Sequence, residues 1–170
     1  IPVAHKPDSQ EICFIPDHDY AKYIRENTDT ELPPGNFVDL DGNILGKHQG
    51  ITNYTVGQRK GLNLSMGKPV FVVEIRPETN EVVIGDSKDV FSDHLTCDHL
   101  NWMSVDGLHG ETMKVTAKIR YSHKGAPCEI REIGPDLVEV QFKEPQRAIT
   151  PGQAVVFYDG DYVVGGGVIR

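Results

Sequence analysis

The chain has 170 residues, of which 38% are hydrophobic and 25% charged, and carries a net charge of −8. That balance excludes a disordered chain and is enough for one core or two small ones. No apolar run approaches the roughly 20 residues of a membrane-spanning helix, and three scattered cysteines exclude a disulfide framework and point to a reducing, cytoplasmic setting with no membrane partner.

Residues 1–16 read as irregular, because Pro2, Pro7 and Pro16 each lack a backbone donor. The first residue is Ile, so residue 1 reads as an internal boundary of something longer. One short helix follows: Asp17 can cap it, Asp19 suits its first turn, and Tyr20, Tyr23, Ile24 and Ala21 give an apolar stripe, which Pro33-Pro34-Gly35 ends.

From Asn36 the period changes to that of strands. Phe37 to Leu40, Asp41-Gly42 and Asn43 to Leu45 predict a hairpin with a type I′ turn; Val70 to Ile75, Pro77 to Asn80 and Val82 to Ile84 predict a second. Beyond about Asp98, strands are expected at Thr112 to Ser122, Cys128 to Ile133, Leu137 to Phe142, Ala154 to Tyr158 and Tyr162 to Ile169, separated by Gly, Pro and Asp turns. Short strands at this spacing predict a closed antiparallel barrel, and Gly165-Gly166-Gly167 predicts a bend in its last strand, since no helix follows to make a phosphate loop. The fold class is mainly β with a short N-terminal helix. Its expected division is a segment at 1–16, a small β-rich central module at 17–97 and an antiparallel β-barrel at 98–170.

Charge is unevenly placed. Lys47, Arg59, Lys60 and Lys68 lie in one window without an acid, and Lys114, Lys118, Arg120, Lys124 and Arg131 lie in another beside Glu129 alone. Alternation from Thr112 to Ser122 sets Met113, Val115, Ala117, Ile119 and Tyr121 on one face, and Lys114, Lys118 and Arg120 on the other. Two readings fit that polar face: solvated surface, or a stripe that tracks phosphates. Gly46-Lys47-His48-Gln49-Gly50 and Thr55 to Leu62 likewise fit either structural turns or ligand contacts, with glycines admitting close approach and Gln58, Arg59 and Lys60 offering donors.

Among the thiols, Cys128 begins a strand and reads as buried. Cys97, within His94-Leu95-Thr96-Cys97-Asp98-His99, matches no standard zinc spacing. Cys13 sits in a polar irregular segment before the helix, where a thiol can be accessible, as sulfur relay requires, although Glu11 does not favour its thiolate; residue type alone favours an incidental thiol over a catalytic one. No phosphate-loop, dinucleotide-binding or nucleophile-elbow motif occurs in the 170 residues.

Several motifs in fixed order resemble those of the tRNA-specific 2-thiouridylases: Lys6-Pro7-Asp8-Ser9-Gln10-Glu11-Ile12-Cys13-Phe14-Ile15, Pro34 to Asp39, Gly46-Lys47-His48 and Tyr54 to Leu62. Lys118-Ile119-Arg120-Tyr121 and Thr150 to Tyr158 extend the resemblance through the barrel. It implies an enzyme that replaces oxygen by sulfur at C2 of the wobble uridine (position 34) of tRNA, with ATP and Mg adenylating that oxygen. It also implies that Cys13 carries a persulfide received from a sulfur-donor protein, that an upstream cysteine forms a disulfide as sulfur is released, and that Arg120, Tyr121 and Gln153 contact tRNA. Gln58, Arg59 and Lys60 are added to that contact set on chemistry alone. The Ser-Gly-Gly-x-Asp-Ser phosphate loop of the family lies outside these residues, so this stretch is expected to bind tRNA without catalysing. The alternative is a non-catalytic, translation-factor-like RNA-binding barrel in which Cys13 is incidental.

Overall fold

The computed structural model describes residues 15, 20–28 and 33–170. Helix α1 (Tyr20–Asn27) ends where Asn27 Nδ2 and Thr28 Oγ1 each donate to a carbonyl four residues back, at Tyr23 and Ile24, supplying partners for the helix's last carbonyls. Its expected cap, Asp17, lies outside the described residues.

Four strands make the first module: β1 (Gly35–Val38), β2 (Ile44–His48), β3 (Phe71–Arg76) and β4 (Glu81–Gly85). Both expected hairpins form. The sheet order is β2-β1-β4-β3, and the central β1–β4 pair is parallel, a pairing that alternation cannot reveal. The first hairpin turn is not type I′. Only Gly42 has positive φ (84°), and the loop is closed by the Asp39 carboxylate, which accepts the backbone N–H groups of Asp41 and Asn43 and the Asn43 side-chain amide. Asp39 therefore does what a second left-handed residue would have done. Phe37, Leu62, Val70, Val72, Val82 and Ile84 form this module's core.

A short 3₁₀ turn at Ser87–Val90 leads into the second module, a closed barrel of β5 (Phe91–Trp102), β6 (Thr112–Lys118), β7 (Ala126–Gly134), β8 (Leu137–Arg147), β9 (Ala154–Asp159) and β10 (Tyr162–Ile169). Its order is β10-β5-β8-β7-β6-β9, with β9 pairing back to β10, so no strand is left with an open edge. Inward-facing side chains alternate cleanly along three strands: Ala126, Cys128 and Ile130 on β7, Val138, Val140 and Phe142 on β8, Val155 and Phe157 on β9.

β5 is the strand that the sequence pattern does not reveal, and it runs without a break through residues 97 and 98. Its inward positions change parity, from Leu95 and Cys97 to the partly buried Leu100 and Trp102. The change falls at His99, whose φ is +50°. The Asp136 carboxylate, in the β7–β8 turn, stabilises the bulge by accepting the N–H groups of both His99 (3.0 Å) and Leu100 (2.7 Å). Gly165, Gly166 and Gly167 form the expected irregularity in β10. A Cβ at each would meet a carbonyl of an adjacent strand: Asn101, Val155 and Asp98 respectively.

Strand β6 is shorter than expected. It stops at Lys118, and residues 119–122 turn away, closed by a hydrogen bond from the His123 N–H to the Arg120 carbonyl. Alternation holds through Val115, Ala117 and Ile119, all buried, but not through Tyr121, which is 78% exposed. The expectation that Tyr121 shares the apolar face is corrected by the end of the strand itself.

Candidate RNA-binding surface

On the outside of the barrel a shallow depression of ≈ 350 Å³ is lined by Lys118, Arg120, Tyr121, Gln153, Ala154, Val156 and Tyr158. Its floor is the outer face of β9, set by register: Thr116 lies opposite Tyr158, and Lys118 opposite Val156. Its rim comes from the corner after β6 and from Gln153. The structure therefore brings together Arg120, Tyr121 and Gln153, three residues 33 positions apart at their extremes.

The depression holds two cations and no carboxylate. Lys118 Nζ lies 5.2 Å from the Tyr158 ring centroid, a cation–π contact, and has no ion pair among the described residues. The Arg120 Nη1 donates to the Arg147 carbonyl (2.9 Å), which aims the guanidinium while leaving other donors of its fork. His123 braces the corner: Nδ1 accepts the Ile119 N–H (3.4 Å) and Nε2 meets Gln146 Oε1 (3.0 Å). Gln153 is held by its backbone, whose N–H donates to the Thr150 carbonyl and whose carbonyl accepts the Ile169 N–H. Such a surface suits an anionic ligand with planar groups, with cations for phosphate and Tyr121 and Tyr158 for stacking. Tyr158 also lines this depression, though no role is assigned to it from the sequence motifs; counting outward from Val155 and Phe157 on the inner face of β9 is the signal that places it here.

Gln153 also lines a second, larger groove of ≈ 510 Å³ between the two modules, with Tyr54, Val56, Ile75, Ile149 and Pro151 among its walls. Beside it runs the loop that holds Gln58, Arg59 and Lys60. Gln58 is turned inward on its own loop: its Oε1 accepts the Thr55 N–H (2.9 Å) and its Nε2 donates to the Lys60 carbonyl (3.0 Å). The backbone is pinned to β3 in both directions, Gly57 N–H to the Val72 carbonyl and Val72 N–H to the Gln58 carbonyl. Arg59 and Lys60 are exposed and have no ion pair among the described residues. Gly57, with φ of +85°, permits a close approach to protein rather than to a ligand, since a Cβ there would fall 2.7 Å from the Ala148 Cβ.

The two basic windows are partly neutralised. Lys68 pairs with Asp86 (2.7 Å), Arg131 with Glu139 (2.8 Å) and Lys114 with Glu129 (3.8 Å). Lys47, Arg59, Lys60 and Lys124 have no ion pair among the described residues.

His48 is a structural group. It is 1% exposed, its Nδ1 accepts the Gly50 N–H (3.0 Å), and its Nε2 donates to the Asn80 carbonyl (3.1 Å), an arrangement that fixes the neutral Nε2–H tautomer. Phe37 and Tyr54 meet it edge-on, at 5.5 and 5.6 Å between centroids. Burial holds its pKa below the usual histidine value. Cys97 and Cys128 are free and buried, and burial pushes both thiols up to about 12, so neither supplies a thiolate near neutral pH. Cys97 points into the barrel, whereas His94 and His99 are exposed. No group of three metal-ligating side chains occurs among the described residues, and no described helix is long and apolar enough to cross a membrane. Cys13 lies outside the described residues.

Comparison with known proteins agrees with this two-module division. An aminomethyltransferase beta-barrel domain model matches residues 92–169, and a tRNA methyl transferase PRC-barrel domain model matches residues 21–86. The chain is 60% identical over 167 residues to the tRNA-specific 2-thiouridylase MnmA of Lachnoclostridium phytofermentans, 60% over 168 to that of Acetivibrio thermocellus, and 53% over 168 to that of Clostridioides difficile. These matches cover 98%, 99% and 99% of the chain but 46% of each relative, so the chain spans just under half the length of these curated relatives. Matched along nearly its whole length, the chain belongs to the tRNA-specific 2-thiouridylase family and corresponds to that family's carboxy-terminal part.

Proposed function

We propose that this chain is the tRNA-holding and sulfur-carrying portion of an enzyme that installs 2-thiouridine at the wobble position, 34, of tRNA. The observation that carries the reading is the meeting of Arg120, Tyr121 and Gln153 with Lys118 and Tyr158 in one depression free of carboxylates. Phosphate contacts fall to the cations and base or sugar contacts to the tyrosines and Gln153. Arg59 and Lys60, exposed and without an ion pair among the described residues, are assigned to the same RNA contact set as further phosphate partners.

In this reading Cys13 carries the sulfur. A persulfide there, loaded by a donor protein, places its terminal sulfur on C2 of a uridine whose O2 has been adenylated; AMP departs with the oxygen. The S–S bond to Cys13 is then broken by a second thiol, leaving a disulfide and the thiocarbonyl. Neither Cys97 nor Cys128 fits that second role, because each is a buried, protonated thiol. No phosphate-loop motif occurs among the 170 residues, so ATP and Mg are assigned to the part of the relatives' length that this chain does not span, and the chain by itself binds tRNA in a salt-sensitive way without thiolating it.

The test is mass spectrometry of tRNA modified by the full-length protein, wild type against Cys13→Ser. Loss of 2-thiouridine with tRNA binding intact is expected, and thiolation retained by the variant would sink the assignment of Cys13.

A further inference from the structure

We infer that Arg147, which lines neither the depression nor the groove, is a positioning residue that clasps the loop at 54–62 to the barrel corner at 119–123, so that the two present one RNA-binding surface. The inference rests on the tRNA-binding reading above. Arg147 makes three contacts, two through its guanidinium and one through its backbone carbonyl. Its Nη2 donates to the Gly57 carbonyl (3.3 Å), its guanidinium lies over the Phe71 ring with Cζ 5.5 Å from the centroid, and its own carbonyl accepts Arg120 Nη1 (2.9 Å). One residue thus touches the cationic loop through its side chain and the cationic corner through its backbone.

The neighbouring residues tighten the same junction. Gln146 receives His123 from the corner, and the Ala148 N–H donates to the Val90 carbonyl (2.8 Å) at the end of the link between modules. Ala148 is held at φ +54°, a left-handed conformation that costs a residue with a Cβ about 1 kcal/mol, and its methyl occupies the space that glycine leaves at position 57. Strain of this kind persists where surrounding contacts fix the chain, and here those contacts are the junction itself. A preformed junction matters to a ligand as long as tRNA, because two surfaces that move independently must each be ordered on binding, whereas one rigid surface has already lost that freedom.

Arg147 is exposed and cationic, so direct contact with a phosphate is the competing explanation, and the conservative variant separates the two. Lysine keeps the charge but loses the planar group that stacks on Phe71 while donating to Gly57. In the full-length protein, Arg147→Lys and Arg147→Ala are both expected to weaken tRNA binding about tenfold, since each unlocks the surface. In the free protein, backbone amide exchange at 55–62, the segment held by the side chain, should accelerate at least about tenfold in both variants, with β7 and β8 protection retained as the mark of an intact fold. Arg147→Lys with wild-type affinity beside a weakened Arg147→Ala would overturn the clasp in favour of a point-charge contact, and so would unchanged exchange at 55–62. Wild-type protein that fails to bind tRNA would instead overturn the functional reading, and exchange alone would then decide whether Arg147 fixes the junction.

Discussion

The two modules spend their polar residues in opposite directions. In the small sheet, the residues that look most like ligand-binding groups serve the protein itself: His48 bridges Gly50 and Asn80, Gln58 closes its own loop, and Asp39 replaces a turn residue. In the barrel, the comparable residues face outward, with Arg120, Tyr121, Gln153 and Lys118 around one depression. The difference follows from architecture. A four-stranded sheet with a parallel central pair and long connections leaves many backbone groups to be satisfied by side chains, whereas a closed barrel satisfies most of its backbone by strand pairing, needs a side chain such as Asp136 at its bulge, and frees others for a ligand. Replacements in the sheet module should therefore cost stability, and replacements around the depression should cost binding.

The largest expected effect is at His48. His48→Ala removes two hydrogen bonds at a buried site, leaves the Gly50 N–H and Asn80 carbonyl without partners, and opens a cavity beside Phe37 and Tyr54. A loss of about 3 kcal/mol in denaturant unfolding is expected. The same residue sets a pH dependence. Its folded pKa lies below the unfolded value near 6.5, so the unfolded chain takes up the proton first. His48's contribution is complete above about pH 6.5 and declines as pH falls from there through the folded pKa. A variant lacking the imidazole should lose that decline between neutral and mildly acidic pH; an unchanged profile would mean that other groups govern it.

What can be read in the sequence divides along the same line. β7, β8 and β9 are legible because their inward residues keep strict alternation between glycine- and proline-rich turns. β5 is not, since the bulge at His99 shifts its inward set from odd to even positions, and the carboxylate that holds the bulge comes from Asp136, 37 residues away. The corner residues Arg120 and Tyr121 and the distant Gln153 are identified through family resemblance; only barrel closure, which sets β6 beside β9, shows why they meet. The loop at 54–62 is the reverse case. Its donors are visible in the sequence, but that Gln58 is occupied and that Gly57 faces Ala148 depends on contacts with its own backbone and with the barrel.

A middle-sized effect is expected at the barrel corner. Arg120→Glu should weaken tRNA binding by about tenfold, and for each phosphate it ceases to neutralise the logarithmic salt slope should become shallower by roughly 0.7–0.9. Lys114→Glu is the matched control: it lies on the same polar side of β6, already faces Glu129, and is absent from the depression. It should change binding less than about twofold, because a long-range charge effect is screened within a Debye length of roughly 8–10 Å. Equal weakening by both reversals would mean that general charge, not this depression, attracts the RNA.

The smallest effect, and the sharpest separation of the two modules, is expected at Gln58. If its amide serves the loop, Gln58→Ala removes two hydrogen bonds that are partly open to solvent, and unfolding free energy should fall by about 1 kcal/mol. Binding should weaken only about two- to threefold, through looser placement of Arg59 and Lys60. If the amide instead reads a base edge or sugar, the order reverses: stability stays near wild type, while binding falls by the roughly 1–3 kcal/mol of a specific polar contact. Measuring both quantities on the one variant distinguishes these outcomes. A loss confined to binding would place Gln58 with Arg120 and Tyr121, and the small module would then share the barrel's outward use of its polar side chains.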